Sequence, residues 1–230
     1  MKNLTAVVGA GIMALAVGLT MVSCSSATKT EDKASTAVSA SPATTTAEAT
    51  TSAPPAGANK TLDEYINENK LQKTVIRPGD PAPKIDLPVP AGWENVDASA
   101  DAPYGGLVFS QPVSPNDPPR INKSLFKLTG KVDTAQVFDL APADLQNRPG
   151  YESFGDPNKD ELGGFEAVQA GGGYTKNGNS RLIAQKTVVI PAPDGVFVFQ
   201  LTADGLESDM ETLMDATTAI DDGTKITSQP

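Results

Sequence analysis

Apolar residues fall at helical spacing in three places along the chain and at strand spacing between them. Near the start of the globular part, Thr61 and Glu64 form a capping box. Each side chain there satisfies a free backbone N–H of the first turn. Leu62, Tyr65 and Ile66 follow as one apolar stripe, which predicts a helix. A Pro-rich extended stretch comes next, with Ile85, Leu87 and Val89 alternating before the turn Pro90-Ala91-Gly92 and Trp93. Residues 105–111 predict a strand, and residues 121–128 its partner across the Pro-rich 112–119 loop. A second helix is expected from Asp133, with Val137, Leu140 and Ala141 on one face. Pro142 interrupts it, because proline lacks the N–H that an inner turn needs.

From Gly163 the pattern becomes that of an antiparallel meander. Residues 165–174 lead into Lys176-Asn177-Gly178-Asn179, a hairpin turn signal because Asn and Gly both tolerate positive φ. Residues 181–190 return with Leu182, Ala184, Val188 and Ile190 on one face. Pro193-Asp194-Gly195 turns the chain again. Val196-Phe197-Val198-Phe199 is apolar on both faces, as a central covered strand is. A last helix carries Met210, Leu213, Met214 and Ile220 at helical spacing up to Gly223, with Ser208 and Glu211 read as its capping box. Asp221-Asp222 lies at its C-terminal end, where the helix dipole favours cations. This order predicts an α+β fold, an antiparallel sheet covered by at least two helices.

The N-terminus follows different rules. Lys2 precedes an uncharged run over residues 4–22, which ends at Met21-Val22-Ser23-Cys24. A charged start, an apolar stretch and a small residue before the cut describe a secretory signal over residues 1–23. Cleavage between Ser23 and Cys24 leaves the cysteine first, where a thioether ties it to diacylglycerol. The alternative is a transmembrane helix, since that run could just span the roughly 30 Å core of a bilayer. Against it, the run is rich in Ala and Gly and no basic stop-transfer cluster follows. Residues 24–58 hold 24 Ala, Ser or Thr and no aromatic residue. Such a segment cannot bury enough apolar surface to offset its ordering entropy, and reads as a disordered tether. Its reach as a flexible coil is roughly 30 Å. The Thr runs beside Pro42, Pro54 and Pro55 suit O-glycosylation or a plain spacer. The globular domain is placed at 59–225, with a C-terminal tail at 226–230.

Composition narrows the chemistry. Without residues 1–23 the chain has 17 basic and 28 acidic residues, a net charge of −11. That disfavours nucleic acid, whose phosphates require Lys and Arg, and disfavours an electrostatic hold on anionic lipid. Cys24 is the only cysteine and there is no His. The usual general base, nucleophile activator and metal ligand are therefore missing together. No cofactor is expected, and a non-enzymatic role is. Asp156-Pro157-Asn158-Lys159-Asp160 resembles a calcium loop, but Glu161 stands where Gly is needed and Ala167 where Glu is; a solvated turn fits better. Gly171-Gly172-Gly173 precedes a hairpin rather than a helix, so a bulge or a close backbone approach explains it better than a phosphate cradle. Tyr104, Phe109, Phe126, Phe197 and Phe199 are core residues or walls of a slot for an acyl chain, and Met210 and Met214 share that ambiguity.

Several runs resemble the mycobacterial LpqN/LpqT lipoprotein family: Ala102-Pro103-Tyr104-Gly105-Gly106, Pro115-Asn116-Asp117-Pro118-Pro119, Lys127-Leu128-Thr129-Gly130, Leu162-Gly163-Gly164-Phe165, Lys176-Asn177-Gly178, residues 184–191 and Leu213-Met214-Asp215-Ala216. The resemblance implies a PsbP-like α/β sandwich and an envelope role linked to trehalose mycolate lipids and RND-type lipid exporters. Cys24 is the one functional residue it carries over. The expectation is a monomer, lipid-anchored on the extracytoplasmic face of the cell membrane with part of the population released, that binds a trehalose-based glycolipid. The rival is a protein-interaction adaptor without a small ligand, and a third reading is an envelope hydrolase.

Overall fold

Thr61 starts the first helix, α1 (Leu62–Glu68). Its hydroxyl accepts from the Glu64 N–H at 3.2 Å, and the Glu64 carboxylate accepts from the Thr61 N–H at 2.7 Å. The computed structural model describes residues 58–228. The signal sequence, Cys24 and the tether up to residue 57 lie outside the described residues. After α1 come β1 (Gln72–Val75), β2 (Lys84–Asp86), β3 (Trp93–Val96), β4 (Gly106–Phe109) and β5 (Arg120–Thr129). Two short helices follow, α2 (Thr134–Leu140), capped by the Asp133 carboxylate, and α3 (Ala143–Gln146), with Pro142 between them. Then come β6 (Glu152–Ser153), β7 (Asn158–Leu162), β8 (Phe165–Lys176), β9 (Asn179–Ala192), β10 (Gly195–Leu206), α4 (Met210–Gly223) and β11 (Lys225–Thr227).

Nine of these strands make one antiparallel sheet in the order β3-β4-β5-β10-β9-β8-β6, with β1 also on β5 and β7 also on β8. The Asn177-Gly178 turn joins β8 to β9, with both residues at positive φ as expected. β10 is central. Its Phe197, Phe199, Leu201 and Ala203 face one core, where Leu213, Ala216 and Ile220 of α4 pack. Its Val196 and Val198 face a second core under α1 and α2, with Leu62, Tyr65, Ile66 and Val137. Each face is thus covered by helix, the α+β arrangement the patterning predicts.

Three expectations need correction. Ser208 and Glu211 do not cap the last helix. A 3-10 turn at Glu207–Asp209 precedes α4, so Ser208 sits inside the turn, and Asp209 accepts from the Leu206 N–H at 3.1 Å instead. Three of the five residues in the 156–160 segment are strand and not turn, because β7 begins at Asn158 and pairs with β8. Finally, the boundary set at residue 225 falls inside β11, whose Ile226 pairs with Ile85 and packs on the main core.

Candidate functional site

A groove of about 520 Å³ runs between α4 and the sheet. Its floor comes from strand register. Gly171 lies opposite Ala184 on β9, which lies opposite Ala203 on β10. In the next row on the same face, Gly173, Leu182 and Gly205 are aligned in the same way. Residues on one face of a sheet repeat every second position, so three adjacent strands here present two rows with a single bulky side chain. That leaves room under the helix.

Met210, Leu213, Met214 and Thr217 of α4 form one wall. Leu213 is anchored, because Gly205 lets its Cδ1 come within 3.0 Å of where a Cβ would stand. The other wall is the 154–158 loop. The Phe154 N–H donates to Gly171 O at 3.0 Å, and the ring, 69% exposed, lies over Gly173. The loop sits where the outer edge of β8 has a gap, since β6 pairs with Gly172 and Gly173 and β7 with residues 165–169. Asp156, Asn158, Gln169 and Thr217 supply polar atoms along the rim. Three large exposed apolar side chains around one apolar trough are the signature of a binding surface.

Gly172, on the other side of β8, explains the Gly run differently. A Cβ there would strike Glu152 O and come within 2.6 Å of the Tyr151 ring. A close backbone approach, as read from the sequence, is what the structure contains.

Past Thr217 the groove narrows to a recess of about 50 Å³ that shares Gln169, Ala184 and Ala203 with it and reaches Lys186 and Asp221. Lys186 is buried. Its Nζ lies 2.6 Å from Asp160 Oδ2 on β7 and 2.7 Å from Asp221 Oδ1 on α4. Burial pushes the Asp160 carboxyl up, but Lys186 and the Glu161 N–H outweigh it and hold the group below its ordinary value. Asp221, unfavourably placed for the helix dipole, is thus a counterion that fastens α4 to the sheet.

The seven residues singled out as ligand candidates separate. Met210 and Met214 line the groove. Phe197 and Phe199 are in the main core, and half-buried Tyr104 meets Phe199 edge-on at 6.4 Å. Phe109 packs on Trp93 at 5.7 Å. Phe126 belongs to the core on the opposite face. These five aromatics do not make one slot. Phe154, Leu182, Ala184 and Ala203 are not among the sequence candidates, although Leu182 and Ala184 share the expected strand face, because nothing along the chain announces which residues of separate strands will fall in register. Among the described residues no group of three His, Cys, Asp or Glu side chains is placed to hold a metal ion, and no helix is long and apolar enough to cross a membrane.

The family model described as "Probable lipoprotein LpqN" matches residues 58–227. Lipoprotein LpqN of Mycobacterium tuberculosis (strain ATCC 25618 / H37Rv) is 52% identical over 173 residues, which are 75% of this chain and 76% of that protein. The crystal structure of LpqN involved in cell envelope biogenesis of Mycobacterium tuberculosis aligns with a TM-score of 0.72 at 52% identity, covering 74% of this chain and 99% of that one.

Proposed function

The chain belongs to the LpqN lipoprotein family, and from that premise we propose that it is an exported, lipid-anchored envelope protein that holds a glycolipid by its acyl chain. The groove beneath α4 is the observation that carries this reading. Its Gly and Ala floor, its two methionines and Phe154 suit a flexible hydrocarbon chain, and the polar rim at Asp156, Asn158 and Gln169 suits a sugar. A trehalose mycolate ester is the ligand we favour, with delivery to or from an RND-type exporter as the task. Cys24 supplies the anchor on the extracytoplasmic face, and the Ala/Ser/Thr-rich tether the reach. Binding and hand-off need no catalytic group, in keeping with a chain that has no His.

Each methylene taken from water into the groove contributes about 0.8 kcal/mol, so affinity should climb with chain length. Titrating the folded region with free trehalose and with its esters of increasing length tests this. Equal affinity for the free sugar and the longest ester would sink the proposal and leave the adaptor reading in its place.

A further inference from the structure

The sheet has a second concavity, on the face away from the groove. Tyr174 pairs with Arg181 across β8 and β9, and Asp204 with Ile183 across β10 and β9. They are out of phase with Gly171, Ala184 and Ala203, so they point to the other side. There they border a cavity of about 490 Å³ whose walls are mostly polar. A strip of uncharged polar side chains leads toward it. Ser124 donates to Gln200 at 3.4 Å, Gln200 to Thr187 at 3.2 Å and Gln185 to Thr202 at 3.4 Å.

Arg181 organises this cavity and is 7% exposed. Its Nε donates to Asp204 Oδ1 at 2.9 Å and to the Tyr174 hydroxyl at 3.1 Å, and its terminal nitrogens pair with Asp117 and Asp204. The Tyr174 hydroxyl in turn donates to Asp204 at 2.5 Å. Arg181 is therefore fully engaged, and its two carboxylates leave one negative charge over.

The remaining charges are not matched. Arg120, Arg148 and Lys176 border the same cavity, opposed by Asp101 and by the one negative charge that the Arg181 cluster leaves over. None of these three cations pairs with a carboxylate of another described residue. The Arg148 guanidinium lies 5.6 Å from the Tyr174 ring centre, held over its face. Four cations, Arg120, Arg148, Lys176 and Arg181, thus face three carboxylates, Asp101, Asp117 and Asp204, a slight positive balance in a chain whose net charge is −10.

We propose that this cavity binds a phosphate or sulfate monoester carried on a polyol, such as a sugar phosphate or the phosphorylated sugar headgroup of a lipid. The anion sits among Arg120, Arg148 and Lys176, where N–H donors to an anionic oxygen form the stronger class of hydrogen bond. The hydroxyls of the polyol meet Asn122, Ser124 and Thr202 on the floor. This site is independent of the groove beneath α4, which lies across the sheet.

The test is calorimetric titration of the full chain in detergent with glucose 6-phosphate, inorganic phosphate and glucose. Glucose 6-phosphate should bind saturably, more tightly than either of the others, and less tightly as ionic strength rises. Arg120→Gln and Lys176→Gln, both exposed and away from the cores, should each weaken it by roughly tenfold. Lys225→Gln, on the distant β11, should not change it. Inorganic phosphate binding as tightly as the ester, glucose binding as tightly, or no effect of the two substitutions would each overturn the proposal. Flotation with vesicles containing phosphatidylinositol phosphate separates the sources. Binding to the vesicles, competed by glucose 6-phosphate and lost in Arg120→Gln, assigns a lipid headgroup; saturable binding of the soluble ester without flotation assigns a free ligand.

Discussion

Adjacent glycines on β8 make opposite demands, and substitution should separate them. Gly172 faces Glu152 O and the Tyr151 ring with no room for a Cβ, and the obstacle is backbone. Gly172→Ala should therefore cost about 1–3 kcal/mol, as overpacking does, read as a lower urea midpoint. A Cβ at Gly171 would meet Ile183 O at 3.4 Å and Ala184 Cβ at 3.5 Å, which is ordinary contact, so Gly171→Ala should be neutral within about 0.5 kcal/mol. Lys186 gives a second contrast. Asp160→Asn with Asp221→Asn strands a buried ammonium and should cost roughly 3 kcal/mol, whereas Lys186→Met leaves two carboxylates that water still reaches and should cost far less. The sign with pH follows from the depressed Asp160 carboxyl. A group lowered in the folded state stabilises it above its ordinary range, and that contribution disappears as pH falls through the folded-state value. Acid titration of wild type against Asp160→Asn should show the wild type losing more stability at the acid end.

At the level of elements, α4 combines two functions on neighbouring stripes. Leu213, Ala216 and Ile220 hold it to the sheet, and Met210 and Met214 face the groove. Leu213→Ala should lower stability by about 2–4 kcal/mol. Met210→Ser with Met214→Ser should leave the melting temperature nearly unchanged and weaken binding of a long-chain ester, measured by titration. The helix itself was legible in the sequence, as were α1 with its capping box, the Asn177-Gly178 hairpin and the two-sided apolar run of β10. Each of those depends on residues close together in the chain. β1 was not legible, because all four of its residues are exposed and show no alternation; it forms by pairing with β5. The start of α4 departs from the sequence pattern for a related reason, whereas its end at Gly223 agrees with it. Ser208 and Glu211 have the right spacing for a cap, but the 3-10 turn that displaces them is fixed by Asp209 reaching back to Leu206.

For the whole molecule, the candidate site is a product of register over three strands. Residues 171, 184 and 203 meet only after β8, β9 and β10 have aligned, so no local pattern could announce the groove floor. Two methionines of the wall were visible, and the floor beneath them was not. Ligand binding should register on global stability, since whatever binds only the folded state raises the melting temperature. At a hundredfold excess over Kd the gain is about 2.7 kcal/mol, or roughly 5–10 °C for a domain of this size. Thermal melts with a long-chain trehalose ester should show that shift, and Gly171→Leu, which fills the trough, should abolish it while folding normally.

The trough beneath α4 is open along one side, where Met214 and Phe154 are 61% and 69% exposed. A hydrocarbon chain lying there can leave sideways, without the helix lifting from the sheet. Departure then needs no conformational gate, and its rate is set by how many methylenes must be rewetted. At about 0.8 kcal/mol each, one more methylene would prolong residence roughly fourfold, so that, on the proposed function, short-tailed cargo would exchange quickly and long-tailed cargo would stay until an acceptor of greater hydrophobicity drew it off.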